Sequence, residues 1–378
     1  MTDSQMIDTL PPEVRRRLIR KADLVANQAA FIDYRIPGCT PKFNYALIGP
    51  GVAQGDKQFV NLAEPHGFNI GAVNVPHGVV NPPHLHFTAE VFVCYRGDWM
   101  VTWGAEAENE VALGEGDLVS VPTWIYRGFR NVGVDDGFLF AVLGRDQSGG
   151  ILWAPGVVRA AQEHGLYLTE DDRIIDVAAG EKVQPSDRLF EPMTPTDLAA
   201  LPVCTKEEMA RSVVRQSALR WSERALLGAI DAGVAVAPAM GFGMSEDRRH
   251  AAPVMEPRGF SLEWLRVAPR ATLPRHRLTA KQVLIAKSAG LRITLESATG
   301  DTTVPLEAWD TFSVPENQWR SMHNAGGTAA LVLVVTAGDD RKSIEWSKQS
   351  RERAAAAGWT LDADGFIAPR RFVDRVSA

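Results

Sequence analysis

Apolar positions in this chain come in short bursts. "NIGAVNV", "EVFVCYRG", "WMVTWG", "DLVSVP" and "GFLFAVLG" follow one another between Asn69 and Gly144, rich in Val, Phe, Trp and Leu and separated by Gly, Pro, Asn and Asp. A second series runs from Phe260 to Gly338: "FSLEWLRV", "QVLIAKSAG", "LRITLES", "DTFSVP" and "AALVLVVTAG". Short β-branched and aromatic bursts punctuated by turn formers predict strands, and many such strands predict a sandwich or barrel. Helical spacing is confined to the margins. "PPEVRRRLIRKADLVANQAAF" predicts an N-terminal helix with prolines near its start, and "RKSIEWSKQSRERAAAAG" one that stops at Gly358. Between the two series, "GVVRAAQEHG" and "TKEEMARSVV" predict further short helices among Pro-rich breaks.

The two series are copies. "LGEGDLVSVPTWIYRGFRNVG" (Leu113 to Gly133) and "LEAWDTFSVPENQWRSMHNAG" (Leu306 to Gly326) align without a gap at an offset of 193 residues, with Leu113/Leu306, Asp117/Asp310, Pro122/Pro315, Arg127/Arg320, Asn131/Asn324 and Gly133/Gly326 among the identities. A period that long marks a duplicated domain, since each copy can bury its own core. The expected organisation is an N-terminal helical arm (1–36), a first barrel (37–156), a helical and irregular connection (157–217), a second barrel (218–340) and a C-terminal helix and tail (341–378).

Composition narrows the function classes. The 378 residues are 45% hydrophobic and 23% charged, ordinary for a soluble globular chain. A net charge of −6 provides no electrostatic footprint for nucleic acid or an anionic membrane surface. No apolar run approaches the ~20 residues that span a bilayer, and the N-terminus lacks the apolar core of a secretory signal. Cys39, Cys94 and Cys204 are odd in number and far apart, which fits reduced thiols in a cytoplasm.

Candidate chemistry concentrates in "GVVNPPHLHFTAEVFVCYRG", Gly78 to Gly97. On a strand, residues i and i+2 share a face, so His84 and His86 point the same way. Glu90 lies past a short turn at the start of the next strand, where an inward carboxylate can meet both imidazoles. Two imidazoles and a carboxylate leave coordination positions open, the ligand set of non-haem Fe(II) sites, and Mn, Ni, Co or Zn also bind it. The bland alternative is a solvated histidine pair on a strand.

The stretch resembles the first signature of the cupin superfamily: Gly78, His84, His86, Glu90 and Gly97 meet every position. The second signature is met by Gly116, Pro122 and Asn131, while Trp124 replaces its inner glycine and Arg127 its histidine. The resemblance implies an all-β chain of two tandem cupin barrels (double-stranded β-helix, jelly-roll) with peripheral helices, a bicupin. It also places Arg127 where a fourth metal ligand would be. A guanidinium has no lone pair for a metal. Three roles stay open: a fork for a substrate carboxylate or phenolate, a cation that suppresses metal binding, or a structural partner for a nearby carboxylate such as Glu115 or Asp117. In the second half His276 aligns with His84, but Leu278 stands for His86 and Gln282 for Glu90, so that barrel is expected to hold no metal. His323 finds no place in the site.

Phe92 and Cys94 share parity with Glu90. Trp99, Val101 and Trp103 share a face that points either into an aromatic cavity or toward an interface. Cys94 is expected to be a small core residue. The resemblance extends distantly to gentisate- and hydroxynaphthoate-type ring-cleaving dioxygenases, with "PTWIYRGFRN" similar to their Pro-x-Trp segment. The expected function is a metal-dependent bicupin enzyme, with Fe(II) favoured, a dioxygenase acting on a small aromatic or organic acid, His84, His86 and Glu90 as metal ligands and Arg127 as the catalytic anchor. The alternatives are a metal-dependent isomerase, lyase or hydrolase and a non-catalytic small-molecule-binding bicupin. Expected partners are a small anionic or aromatic molecule and further copies of the chain in a homo-oligomer, without nucleic acid or membrane, in the cytoplasm.

Overall fold

A computed structural model describes residues 3–54, 57–227, 233–297 and 300–373. The chain divides into two compact units, residues 24–218 and residues 1–23 together with 219–378. The fold is all-β, a jelly-roll barrel in each unit with few helices.

In the N-terminal unit one sheet orders Val213–Val214, Leu118–Val121, Glu90–Arg96, Gly137–Gly144, Phe68–Val75, Phe43–Ile48 and Val60–Leu62. The other orders Ile151–Trp153, Val80–His86, Arg127–Asn131, Trp99–Trp103 and Asn109–Leu113. The core joins the inner faces of both: Val73, Phe92, Cys94 and Leu139 from the first meet Trp99, Val101, Trp103 and Phe129 from the second. The Trp99 face therefore points inward. Burying one such indole removes roughly 200 Å² from water, worth about 5 kcal/mol at about 25 cal/mol per Å². Cys94 is fully buried, and burial pushes its thiol well above the usual range, so it packs as a small core residue.

The second unit repeats the plan. Its larger sheet orders Leu18–Ile19, Thr311–Val314, Gln282–Ala286, Ala330–Ala337, Phe260–Val267 and Val234–Met240; its smaller one orders Thr302–Leu306, Leu291–Leu295, Arg320–Asn324, Thr272–Arg277 and Glu345–Trp346. The repeated residues do the same work twice. Asn131 Nδ2 donates to Val75 O (3.0 Å) and Asp135 O (2.8 Å) while its Oδ1 accepts from Gly133 N (3.0 Å). Asn324 does this with Val267 O (2.8 Å), Thr328 O (2.7 Å) and Gly326 N (2.8 Å). Asp117 and Asp310 each accept from the backbone N–H three residues earlier.

Two expectations are corrected. The N-terminal helix does not run to Phe31: one helical turn, Pro12–Arg15, is followed by the strand Leu18–Ile19, which pairs antiparallel with Phe312 and Thr311. Both residues are buried, and their backbone groups cover the otherwise open edge of Thr311–Val314. The expected arm over 1–36 is thus divided: the first 23 residues group with the second barrel and the rest with the first. The stretch 157–217 carries the expected short helices and packs against the first barrel. Its helix Pro155–Glu163 buries Val157, Val158 and Ala161 against Leu85, Tyr126 and Trp153, and Val213–Val214 extends the larger sheet of the first barrel. The helix Lys348–Ala356 ends before Gly358, whose φ of 83° breaks the helical path.

Candidate metal centre

His84 and His86 lie on Val80–His86 in the smaller sheet, and Glu90 opens Glu90–Arg96 in the larger one. The turn at residues 87–89 carries the chain from one sheet to the other, so all three side chains meet between them. Their ligand atoms lie within 4.8 Å of one another, and His86 Nε2 is 3.4 Å from Glu90 Oε2. All three residues are buried.

The imidazoles are oriented from behind. His84 Nδ1 donates to Pro82 O (2.8 Å) and His86 Nδ1 to Gly150 O (3.2 Å), which turns both Nε2 lone pairs toward the common point. The Asn81 amide nitrogen is 3.3 Å from His84 Nδ1, but that nitrogen already gives its proton to Pro82 O, so the contact is not a hydrogen bond. Burial holds His84 neutral down to about 3, and burial together with the neighbouring His84 and Arg127 lowers His86 well below its ordinary 6.5. Neutral imidazole is the form that binds metal. Two nitrogen donors and one carboxylate oxygen fit a divalent first-row metal ion.

Arg127 stands across the sheet register from His84 and is fully buried. Its NH1 is 3.4 Å from Glu90 Oε2, Nε donates to Ile125 O (3.0 Å), and NH2 donates to Pro122 O (2.7 Å) and Ile125 O (2.8 Å). The guanidinium closes the loop before its own strand and is not in the cavity wall. Asp117 is taken by Arg215 (2.6 Å), and a carboxylate that Arg127 does meet is Glu90. Arg127 thus clamps a candidate ligand, as the structural reading of a carboxylate partner expects. Burial pushes the Glu90 carboxyl up to about 7, against the opposing pull of Arg127.

The site opens on a cavity of about 90 Å³, walled largely by Phe31, Val73, Phe92, Phe129, Leu139 and Leu143, with Asn44, Gln58 and Asn81 as neutral polar groups. Among the described residues Glu90 is its only carboxylate or cation, and Tyr45 the only other titratable side chain besides the histidines. The space admits a few waters or a small organic molecule.

Sequence reasoning missed the layer behind the site. Lys42 and Asp33 form a buried ion pair, and Lys42 Nζ also donates to Asn81 Oδ1 (2.5 Å), which faces the cavity. Nothing in local spacing marks residues so far apart in the chain. Trp153, whose ring is 5.5 Å from His84, did carry a signal: it repeats as Trp346, 5.3 Å from His276. Trp124 adopts φ 64°, the left-handed backbone for which the family pattern has glycine, and its ring packs edge-on against Phe87 at 5.2 Å.

In the second barrel His276 keeps its backbone bond, Nδ1 to Pro274 O (2.7 Å), but Leu278 is buried in the apolar core and Gln282 is neutral. His323 is 2.9 Å from Thr272 Oγ1, at the other end of its strand pair. Among the described residues, His84, His86 and Glu90 are the one group with metal-holding geometry.

A family model described as a cupin domain matches residues 71–143. No curated protein sequence matches the chain. Among solved structures it is similar to oxalate decarboxylase from Bacillus subtilis at pH 4.6, at 16% identity over 88% of this chain and 78% of that one, with a TM-score of 0.54. Another structure of that enzyme, from work on its Mn(II) centers, has the same identity and TM-score and covers 88% and 80%. Vicilin from Corylus avellana, hazelnut, is similar at 10% identity over 96% of both chains, TM-score 0.53. At these identities the likeness is one of fold.

Proposed function

We propose that this chain, a two-domain member of the cupin superfamily, is a metal-dependent enzyme whose reactive centre lies in its N-terminal barrel. The observation that carries the reading is the convergence of two outward-tied imidazoles and one carboxylate at the end of a mostly apolar cavity. His84 Nε2, His86 Nε2 and a Glu90 oxygen would hold the ion. When bound, the metal supplies a Lewis-acidic centre with open positions for a substrate and, if iron, for oxygen.

This chain's own residues set the rest. Arg127 already balances the charge of Glu90, so a dication in the site is left to be neutralised by its ligands. An organic acid that binds through its carboxylate satisfies that charge, and Phe92, Phe129 and Leu139 receive an aromatic or apolar body. The cavity wall excludes bulk water and fixes orientation through Asn44, Gln58 and Asn81. Arg127 acts as a positioning residue that holds Glu90.

Within this class, Fe(II)-dependent dioxygenation of a small aromatic or organic acid is favoured. Among the described residues the wall carries no Asp, Lys, Arg or Cys to serve as a separate acid or base, and oxygen chemistry at a metal needs none. The second reading is a Mn-dependent lyase, supported by the fold shared with oxalate decarboxylase and the Mn(II) centers named for that protein. The test has two stages. Protein purified without chelator is analysed for metals alongside His84→Ala; about one ion per chain, lost in the variant, is expected, and none in either would overturn the metal reading. Anaerobic loading with Fe(II) or Mn(II), followed by oxygen-uptake and CO₂-release measurements on a panel of aromatic and short-chain acids, then separates the two chemistries. CO₂ release without oxygen uptake would favour the lyase.

A further inference from the structure

The second barrel retains the arginine, and among the described residues its counter-charge is replaced by a neutral amide. Arg320 sits opposite His276 as Arg127 sits opposite His84, and both Arg320 and His276 are buried. Where Arg127 meets the carboxylate of Glu90, Arg320 NH2 donates to the neutral amide oxygen of Gln282. Its NH1 donates to Gln318 O (3.1 Å), and its Nε has no partner. Two of five N–H donors are thus engaged, and among the described residues no carboxylate forms an ion pair with it. His276 Nε2 is likewise buried and unpartnered.

Three other buried charges of this barrel have partners of their own: Glu246 Oε1 accepts from Trp346 Nε1 (2.7 Å), and the other two are Glu263 and Lys342. Glu263 accepts from Met244 N (2.9 Å) and feels Lys342, whose Nζ donates to Gly338 O (2.5 Å) and Asp340 O (2.5 Å). Gln282 Nε2 is held by Thr336 Oγ1 (3.0 Å) and Met244 Sδ (3.0 Å), which keeps its oxygen toward Arg320. A buried cation with no compensating charge is costly, and proteins avoid it by pairing or ligand binding. Burial lowers Arg320 to about 9, which still leaves it charged at neutral pH.

We propose that the degenerate barrel binds a small monovalent anion, of halide, nitrate or formate size, on the free Nε edge of Arg320 beside His276. The anion does for Arg320 what Glu90 does for Arg127. The site is separate from the candidate metal centre and does not depend on it. A single water bridging Arg320 Nε and His276 Nε2 would complete the hydrogen bonds but leave the charge standing.

The test uses the full chain in sodium gluconate at fixed ionic strength, the bulky organic anion being too large for the position. Chloride, nitrate and formate are titrated in while thermal unfolding is followed. Expected is a saturable rise in Tm for at least one of them, roughly 5 °C at about a hundredfold above Kd. Arg320→Met and Gln282→Glu should both abolish the rise, the second because it builds the missing carboxylate into the chain. Gln282→Glu should also unfold at or above the wild-type temperature in gluconate. No saturable rise for any of the three anions, the outcome a bridging water predicts, would overturn the proposal. So would a rise that survives undiminished in Gln282→Glu, since the anion would then bind elsewhere.

Discussion

At the scale of single residues, Arg127 decides what kind of centre this is. A histidine at that position would offer a fourth donor; the arginine instead ties Glu90 to the loop carbonyls of Pro122 and Ile125. It keeps the carboxylate ionisable in a buried site and also competes with a metal for it. Arg127→His should bind Fe(II) or Mn(II) about tenfold or more tightly than wild type, roughly 1.4 kcal/mol, in a competition titration against a chromophoric chelator. Arg127→Met is the control, since it removes the competing charge without adding a donor. If the two variants bind metal equally, position 127 does not reach the ion.

At the scale of elements, the repeated turn residues show that identity between halves need not mean shared chemistry. Asn131 and Asn324, like Asp117 and Asp310, close the same turns in a barrel with a ligand set and in one without. The strand Leu18–Ile19 has its counterpart in Val213–Val214: each pairs with the same two positions of the repeat, Thr311 and Phe312 in one barrel and Leu118 and Val119 in the other, and Leu18–Ile19 is supplied from the beginning of the chain to the barrel at its end. Leu18 lies in the apolar core of that barrel. Leu18→Ala should therefore cost about 2–4 kcal/mol, and hydrogen exchange should show the loss in Thr311–Val314 and Gln282–Ala286, not in Glu90–Arg96. Loss of protection in the first barrel alone would contradict the assignment of this strand.

At the scale of the whole molecule, the second unit carries buried acids with raised pKa values: Glu246 and Glu263 at about 7 and Asp310 at about 6, each driven first by burial. The unfolded chain releases these protons near the ordinary 4.5 for Glu and 3.8 for Asp, while the folded unit still holds them. The folded state thus binds more protons in that window, and its stability falls as pH rises from about 4.5 to about 7. His276, held neutral to about 3, opposes this below its ordinary 6.5, as a single group against three. Urea unfolding of the second unit should accordingly show a lower midpoint at pH 7.5 than at pH 5.5. Glu263→Gln should flatten the slope while keeping an acceptor for Met244 N. A midpoint that rises over this range would mean that these acids are not held protonated.

The alternation and punctuation of the chain were enough to predict two β-barrels, and the offset of 193 residues was enough to show duplication, because strand period and turn chemistry are local properties. The histidine spacing and Glu90 were legible for the same reason: one strand, one short turn and the next strand bring them together. What lay beyond reach were relations between distant segments. The pairing of Arg127 with Glu90, the Lys42–Asp33 pair behind Asn81, and the edge strand Leu18–Ile19 each join residues that only the folded sheets make neighbours. Burial then decided their chemistry, since the same arginine is neutralised beside a glutamate and left uncompensated beside a glutamine.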